Sequence, residues 1–476
     1  MPDNDAGKKM ARWLFRPLLV AAVVGASASA LGQGDSKNID AIFKDFATDQ
    51  SPGCAIGATR GDATLAARAY GMADLEHNVP LTTQSVFYMA SVSKQFTALS
   101  ILLLERDGKL HVEDRVRNYI PELPDYAAGI TIKQLLHHTS GLRDYLTLSR
   151  LAGNSPDHVI TERWVLNTLA RQTRLNFDPG AEHLYSNSGY VLLSIIVHRV
   201  SGRPLDEFAR ERIFTPLGMR NTRFQHDHTN PIPGRAIGYV RGGQTWRIAN
   251  SQLDVVGDGG MYSTVEDMLR WAAAFERPEF ATLLSRMQRP GTLGNGTAIA
   301  NGYGMGLSLG SYRGVPAVSH GGSLAGYRTN FMHLPGGKLT IVTLCNTAIA
   351  NTGRLTQMVV DLYGPAGMSA PAAPAAAAPP QPPTQTQTPV PRELGQVLVG
   401  VFYNAELETT YRVASGADGV MLEMGNNLPM ALSLSGPDRV RTPQGLELEL
   451  VRDAGGRVTE LTLNAGRVRG LAFVKR

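Results

Sequence analysis

A segment rich in proline, alanine, glutamine and threonine, residues 368–394, constrains the architecture of this 476-residue chain more than any other feature. Proline fixes its own backbone angle and lacks an N–H group, and the segment offers almost no large apolar side chains. Such a segment cannot build a core, so we expect an extended, semi-rigid linker. It separates a body over residues 33–367 from a smaller C-terminal domain over residues 395–476.

Residues 1–32 have the pattern of a secretory signal peptide. Basic residues between positions 8 and 16 precede an apolar run over 18–24, and small residues that include Ala28-Ser29-Ala30 follow. This order is typical of export signals. The apolar run is shorter than the roughly 20 residues that span a bilayer. We therefore predict a periplasmic or secreted protein with no stable membrane span after processing, and an uncleaved membrane anchor is the alternative.

The net charge of the chain argues against a nucleic-acid partner. It is only +5 over 476 residues, and the basic residues form no stripe interleaved with aromatic ones. The sequence also contains no Walker loop, zinc signature or dinucleotide fingerprint, so neither a metal nor an organic cofactor is expected. The expected partner is a small-molecule or peptide substrate, which could derive from the cell wall.

The two cysteines, Cys54 and Cys345, leave two interpretations open. Each lies in a strand-like run, and the favoured interpretation is two buried thiols that pack as small apolar side chains. An export signal would permit a disulfide instead. The two runs could be neighbours if both ends of the body share one sheet.

Strands are predicted at both ends of the body and helices between them. Residues 55–60 and 63–70 have the pattern of a hairpin, and residues 327–334 and 339–345 that of a second pair. Residues 95–105 are apolar on nearly every side, which is typical of a buried helix. Further predicted helices cover residues 190–200, residues 265–275 and a short segment that begins at the capping-box sequence Thr131-Ile132-Lys133-Gln134. This pattern predicts an α+β fold in which an antiparallel sheet is closed from both termini.

The C-terminal domain is predicted to be all β. Residues 446–450 and 458–463 alternate apolar and polar side chains, and glycine-containing turns separate such runs. Short strands at even spacing are typical of a small antiparallel barrel.

Three short motifs in the body point to nucleophilic catalysis, and the first is Ser91-Val92-Ser93-Lys94. A serine hydroxyl needs a base within hydrogen-bond reach. A lysine three residues later on a helix lies beside the serine, and burial against the apolar helix would lower its pKa. By itself the motif is weak, because a serine and a lysine on an ordinary solvated helix share this spacing.

The second motif is Tyr185-Ser186-Asn187, just before the predicted helix over 190–200. A tyrosine beside a lysine can act as a general base if positive charge stabilises its phenolate. Asn187 can both donate to and accept from a substrate amide. Taken alone, the motif is more typical of a turn than of a catalytic site.

The third motif is His320-Gly321-Gly322-Ser323, which leads into the strand predicted over 327–334. Two glycines would let a substrate backbone approach the strand edge closely. His320 could donate a hydrogen bond towards the Tyr185 oxygen. The alternative is a glycine turn that happens to contain a histidine.

The three motifs, in this order and at similar intervals, resemble those of the active-site-serine family of β-lactamases and penicillin-binding proteins. The resemblance covers residues 40–362, and residues 135–142 and 257–263 are typical of its class C β-lactamase-like branch. It implies an antiparallel sheet with helices on both sides and an all-helical lobe. Residues 403–411 and 466–473 resemble the small lipocalin-like barrel that follows the catalytic domain in some of these hydrolases.

The resemblance also implies a role for each motif residue. Ser91 would form the acyl-enzyme, Lys94 would share its proton, and Tyr185 would act as general base and pass the proton to the leaving group. The backbone amides of Ser91 and Ser323 would form the oxyanion hole. The residues expected to bind or position the substrate are Asn187, His320, Gly321, Gly322 and Ser323. The residues expected to serve as scaffold are His137, His138 and Asp258.

The third motif departs from that of true β-lactamases, where it usually begins with lysine. His320 is mostly neutral near pH 7, so a permanent charge that would hold a substrate carboxylate is missing. A His-x-Gly motif resembles that of D-aminopeptidases and esterases. The sequence therefore predicts an exported serine hydrolase of D-amino-acid peptides, amides or small esters. The alternatives are a genuine β-lactamase or D,D-carboxypeptidase, and an inactive protein that binds peptidoglycan fragments or a partner.

Overall fold

The computed structural model describes residues 33–370, 388–416, 419–425 and 427–476. The predicted signal peptide over residues 1–32 and the middle of the predicted linker lie outside these residues. Among the helices of the described segments, none has both the length and the apolar character that crossing a membrane requires.

A six-stranded antiparallel sheet forms the centre of the body. Its strands are β1 (Cys54–Arg60), β2 (Ala63–Tyr70), β3 (Ser308–Tyr312), β4 (Val315–Leu324), β5 (Tyr327–Leu334) and β6 (Leu339–Cys345). The strand order is β3-β4-β5-β6-β1-β2, so the two ends of the body meet where β6 pairs with β1. The predicted closure of the sheet from both termini is confirmed, as are both predicted strand pairs.

Helices cover both faces of this sheet. Most of them lie in the chain segment between β2 and β3. The α-helices are α1 (Gln33–Ile42), α2 (Lys94–Arg106), α3 (Ile132–Leu136), α4 (Tyr145–Leu151), α5 (Glu162–Ala170), α6 (Asn187–Ser201), α7 (Leu205–Ala209), α8 (Thr215–Leu217), α9 (Val265–Ala274), α10 (Pro278–Met287), α11 (Thr352–Tyr363) and α12 (Arg392–Leu398). Single helical turns are Lys44–Phe46, Ala90–Ser93, Val116–Asn118, Asp125–Ala127, Arg210–Phe214 and Pro335–Gly337. Helix α9 packs on β1 and β6, while α11 packs on β5 and β6 and also contacts α1.

Short strands connect these helices. They are Met72–Asp74, Val79–Pro80, Phe87–Tyr88, Ile160–Thr161, Arg223–Phe224, Tyr239–Gly242, Thr245–Ile248, Leu253–Asp254 and Met261–Ser263. The two that matter for the site are Phe87–Tyr88 and Met261–Ser263, which pair with each other. They bring the segment before Ser91 next to the segment that contains Asp258.

Helices α2 and α6 pack against each other in the core. The first eleven residues of each helix, 94–104 and 187–197, are all buried, as their apolar sequences predict. Helix α6 ends at Gly202, which adopts the left-handed conformation (φ 73°) that glycine favours after a helix. The predicted capping box of Thr131 and Gln134 is present, whereas α9 is capped by Thr264. The N-terminal turns of α2 and α6, which carry Lys94 and Asn187, are therefore fixed within the core.

Cys54 and Cys345 form a disulfide, so the favoured interpretation of two free thiols is wrong. The two residues lie directly opposite each other in the register between β1 and β6, and both are fully buried. The reason is the sheet topology, since β6 returns beside β1 and brings together residues 291 positions apart. An intrachain disulfide is typical of proteins that fold in an oxidising compartment.

The C-terminal domain is a curled antiparallel sheet, as predicted. Its strands are β7 (Thr388–Pro389), β8 (Gly400–Asn404), β9 (Thr409–Gly416), β10 (Gly419–Met424), β11 (Met430–Ala431), β12 (Ser433–Gly436), β13 (Arg439–Arg441), β14 (Glu447–Arg452), β15 (Val458–Ala465) and β16 (Val468–Lys475). Only Leu432 separates β11 from β12, and these two strands pair with β10 and β13 respectively. One stretch of chain thus runs from the edge strand β11 to β12, which lies next to the edge strand β7 at the opposite end of the sheet, and so curls the sheet towards a barrel.

Candidate active site

Ser91 lies in the single helical turn Ala90–Ser93, immediately before α2. The preceding residue, Ala90, has φ 46°, in the left-handed region that residues with a side chain rarely adopt. The Ala90 carbonyl accepts a hydrogen bond from the Ser93 hydroxyl (2.5 Å), which holds the turn. Backbone strain of this kind persists where the surroundings enforce it, often at functional sites. Ser91 is partly exposed on a cavity of about 740 Å³.

The side chain of Lys94 is fully buried and points at Ser91. Its Nζ donates to Ser91 Oγ (3.1 Å), to Asn187 Oδ1 (2.9 Å) and to the backbone carbonyl of Asp258 (2.6 Å). Burial lowers the pKa of Lys94 to about 8, although the charges of Asp258 and Asp144 act in the opposite direction. The predicted contact of Ser91 with Lys94 and the predicted lowering of the lysine pKa are thus both present.

Tyr185 lies close to both Lys94 and Ser91. Lys94 Nζ is 4.9 Å from the centre of the Tyr185 ring. The phenolic hydroxyl is buried, and no described residue gives it a hydrogen bond of standard geometry. Burial raises the pKa of Tyr185 above its usual value, while hydrogen bonding with Ser91 and the charge of Arg467 lower it. The net direction is upward, so burial opposes ionisation of the phenol.

Asn187 is the first residue of α6, and it connects Lys94 to the buried Asp144. Its side chain accepts from Lys94, and its backbone N–H donates to Asp144 Oδ2 (2.8 Å). Asp144 caps α4 by accepting from the Thr147 N–H through its other oxygen (3.0 Å). Asp144 belongs to no motif in the sequence, and its role as a support for Asn187 was not predicted.

His320 is on β4, close to Tyr185, but its hydrogen bonds go elsewhere. Its Nδ1 lies 2.8 Å from the Gly321 carbonyl oxygen, and its Nε2 lies 3.1 Å from the Tyr303 hydroxyl. The expectation that His320 donates to the Tyr185 oxygen is therefore wrong. Both ring nitrogens are engaged by nearer groups, and the Tyr185 and His320 ring centres are 6.3 Å apart. Burial lowers the pKa of His320 to about 4, so the ring is neutral at pH 7.

The two glycines after His320 differ in their surroundings. A Cβ on Gly322 would clash with the Met89 carbonyl oxygen and with Thr329 Oγ1. A Cβ on Gly321 would have room, since its nearest neighbours are 3.8 Å away. Gly322 thus lets β4 approach the turn that carries Ser91, while Gly321 and Ser323 are exposed on the cavity.

Two of the residues expected to serve as scaffold, His138 and Asp258, lie in contact with the candidate catalytic residues. The ring centre of His138 lies 4.1 Å from that of Tyr185, with the two rings tilted against each other. The His138 Nδ1 accepts a hydrogen bond from the Ser186 N–H (3.2 Å). The Asp258 carbonyl binds Lys94, and its carboxyl group accepts from the Tyr145 hydroxyl (3.0 Å). Burial raises the pKa of Asp258 to about 6.

The C-terminal domain closes one side of the cavity. The turn between β15 and β16 places Arg467 on the same cavity as Ser91, with its guanidinium carbon 4.7 Å from the centre of the Tyr185 ring. Residues 466–473 carry a resemblance in the sequence, but nothing there indicates that Arg467 reaches Tyr185. A second, mainly apolar cavity of about 930 Å³ lies between the domains and shares Leu146, Leu253, Leu324 and Arg467 with the first.

Known proteins are similar to this chain in sequence and in fold. A beta-lactamase family profile matches residues 39–360. The chain is 32% identical over 331 residues to penicillin-binding protein 4* of Bacillus subtilis, covering 66% of this chain and 72% of that protein. It is 29% identical over 303 residues to a D-aminopeptidase of Brucella anthropi, covering 62% of this chain but only 56% of that relative. An octameric penicillin-binding protein homologue from Pyrococcus abyssi superposes with a TM-score of 0.60 at 20% identity, covering 92% of this chain and 99% of the other.

The fold and these matches define the class of protein as a serine hydrolase of the β-lactamase and penicillin-binding protein type. Within that class, the chain belongs to the beta-lactamase family.

Proposed function

We propose that this chain is an exported hydrolase that forms an acyl-enzyme on Ser91 and acts on D-amino-acid peptides, amides or small esters. The observation that carries the proposal is the 3.1 Å contact between the buried Lys94 amine and Ser91 Oγ. A lysine with a pKa near 8 is partly neutral at pH 7, and a neutral amine can take the serine proton.

In the proposed reaction, Ser91 Oγ attacks the substrate carbonyl carbon while its proton moves to Lys94. Backbone N–H groups of Ser91 and Ser323 stabilise the oxyanion. Tyr185 then gives its proton to the leaving nitrogen or oxygen and takes up the proton that Lys94 had accepted, the bond to the carbonyl carbon breaks, and an ester to Ser91 remains. Water attacks this ester by the same route in reverse, which releases the acid and restores the serine.

The substrate class rests on two supports. The relatives include a D-aminopeptidase that is 29% identical to this chain. The third motif begins with a histidine that is neutral at pH 7, and it resembles the His-x-Gly motif of D-aminopeptidases and esterases more than the lysine motif usual in β-lactamases. Export is supported by the predicted signal peptide and by the Cys54–Cys345 disulfide. A periplasmic or secreted location follows, with cell-wall peptides as one natural source of substrate.

For the domain organisation, we propose a catalytic domain over residues 33–367, a linker over 368–394 and a lipocalin-like barrel over 395–476. The strand β7 at 388–389 pairs with β12, so the C-terminal part of the linker belongs to the barrel sheet. The ten-stranded curled sheet is the support for a lipocalin-like barrel.

The proposal is tested by intact-mass labelling with a fluorophosphonate, with Ser91→Ala as the control. A single adduct on the wild type, absent from Ser91→Ala, is the expected result. The absence of any adduct would instead favour an inactive protein that binds peptidoglycan fragments or a partner. D-amino-acid amides and short p-nitrophenyl esters then distinguish amidase from esterase activity.

A genuine β-lactamase or D,D-carboxypeptidase is the second candidate, and the 32% identity to a penicillin-binding protein favours it. Incubation with a penicillin separates these activities. Fast turnover of the penicillin identifies a β-lactamase, whereas a long-lived adduct on Ser91 is expected of a carboxypeptidase.

A further inference from the structure

The turn between β15 and β16 carries an arginine of the C-terminal domain into the candidate active site. Its two residues are Gly466 and Arg467. The guanidinium carbon of Arg467 lies 4.7 Å from the centre of the Tyr185 ring, and 43% of the Arg467 side chain is exposed. The wall of the cavity that faces Tyr185 is therefore completed by the second domain.

The backbone of this turn is fixed by the catalytic domain. The Arg467 carbonyl accepts from the side-chain amide of Asn176 (3.0 Å) and from the backbone N–H of Asp144 (3.4 Å). The Asn176 oxygen in turn accepts the Arg469 N–H (2.8 Å). The buried Arg143 donates to the carbonyls of Arg469 (2.9 Å) and Gly470 (3.1 Å). Bonds to the backbone of residues 467, 469 and 470 thus fix the turn from which the Arg467 side chain reaches Tyr185.

The Arg467 guanidinium makes a cation–π contact with Tyr185 but has no hydrogen-bond acceptor among the described residues. Its nearest carboxylate is Asp144 Oδ2 at 3.9 Å, too far for a hydrogen bond. That oxygen already accepts the Asn187 N–H. Among the residues that the structure describes, none accepts a hydrogen bond from the Arg467 guanidinium. Five N–H donors thus stand at the cavity without a protein acceptor.

The other basic side chains of the cavity are either neutral or already hydrogen-bonded to the protein. Lys94 donates to three acceptors, and His320 is neutral at pH 7. Arg328 also lines the cavity, but it donates to the carbonyls of Ala325 (3.1 Å) and Tyr327 (2.7 Å). Arg467 is therefore the best-placed cation for an anionic group on the substrate.

We propose that Arg467 binds a carboxylate of the substrate, on the side of Ser91 from which the leaving group departs. We infer the leaving-group side because the Arg467 guanidinium lies over Tyr185. In the proposed reaction, Tyr185 gives its proton to the leaving nitrogen. The preferred substrate is then a D-amino-acid peptide with a free C-terminal carboxylate. Arg467, in the C-terminal domain, thus supplies the positive charge that the neutral His320 of the third motif does not carry. This inference rests on the proposed function.

The test compares two dipeptides with the same scissile bond, D-alanyl-D-alanine and D-alanyl-D-alaninamide. We expect the wild type to prefer the acid, and Arg467→Met to lower the acid-to-amide ratio of kcat/KM by about 10- to 100-fold, which is typical of losing a charge-assisted bond. Arg469→Met is the matched control. Arg469 is two residues away, but its side chain pairs with Glu182 (3.0 Å), so the ratio should stay as in the wild type.

Three results would overturn the inference. The first is a wild type with no preference between acid and amide. The second is an equal loss on both substrates in Arg467→Met, which would mean that the arginine acts only on Tyr185. The third is a loss of the preference in Arg328→Met but not in Arg467→Met. If Ser91 is labelled by a fluorophosphonate but neither dipeptide is hydrolysed, the inference fails alone; if Ser91 is not labelled, the proposed function fails with it.

Discussion

Lys94 Nζ lies 3.1 Å from Ser91 Oγ, and both groups are carried on adjoining turns at the start of one buried helix. If Lys94 accepts the serine proton, as proposed, the rate depends on the ionisation of Lys94, because only the neutral amine can accept a proton. Burial lowers the pKa of Lys94 to about 8, so the base is mostly protonated below that pH and mostly neutral above it.

The first prediction concerns the pH profile. We expect kcat/KM to rise about tenfold per pH unit below pH 7.5 and to level off above pH 8.5, since this parameter reports groups of the free enzyme. Initial rates on a neutral ester between pH 5.5 and 10 measure the profile. A rate that is constant from pH 6 to 9 would contradict Lys94 as the base.

The second prediction concerns Tyr185→Phe. The substitution removes only the hydroxyl, which has no standard hydrogen-bond partner among the described residues, so the fold should persist. We expect kcat to fall by roughly 10²- to 10⁴-fold, the range for loss of a proton-transferring group. Tyr303→Phe is the matched control, because Tyr303 Oη is bound to His320 and lies outside the proposed proton route. Turnover near that of the wild type in Tyr185→Phe would exclude the tyrosine from proton transfer.

Much of this site could be predicted because its elements depend on local sequence. The all-round apolar pattern over 95–105 can only be satisfied by a buried helix, and this burial also places Lys94 in the core. The two strand-like runs over 327–334 and 339–345, joined at Pro335-Gly336-Gly337, predict the pair of strands that follows the third motif. The positions of Ser91, Lys94 and Asn187 follow from these elements.

Other features depend on how distant segments dock, and local patterns do not encode them. Arg467 reaches Tyr185 only because the barrel packs on the catalytic domain. His320 lies near two phenols and bonds Tyr303, a choice set by side-chain packing within the folded site. The Cys54–Cys345 disulfide depends on the register of β1 against β6, which neither strand specifies alone.

The third prediction concerns this disulfide. Replacing both cysteines by alanine should lower the free energy of unfolding by about 2–5 kcal/mol, because the unfolded chain regains its freedom. Urea unfolding of the double variant, compared with the oxidised wild type, measures the loss. Thiol titration of the denatured, unreduced protein checks the bond itself, and two reactive thiols per chain would contradict it.

The fourth prediction concerns the contact between the two domains. Arg143 Nη1 donates to Glu406 Oε2 across the boundary (2.6 Å). The Arg143 side chain is fully buried and that of Glu406 is 11% exposed. Removing one partner of a buried pair leaves the other charge without compensation, which costs about 3–5 kcal/mol. We therefore expect Glu406→Ala to destabilise the protein by about that amount in urea unfolding.

The matched control for this prediction is Glu408→Ala. Arg171 and Glu408 also pair across the boundary, at 3.5 Å, but Glu408 is 62% exposed. Water screens such a pair, so its loss should cost under about 1 kcal/mol. Equal effects of Glu406→Ala and Glu408→Ala would show that Arg143 does not hold the barrel in place. A selective effect of Glu406→Ala, accompanied by loss of the acid-to-amide preference, would show that this pair fixes the turn that carries Arg467, because Arg143 also binds the carbonyls of Arg469 and Gly470.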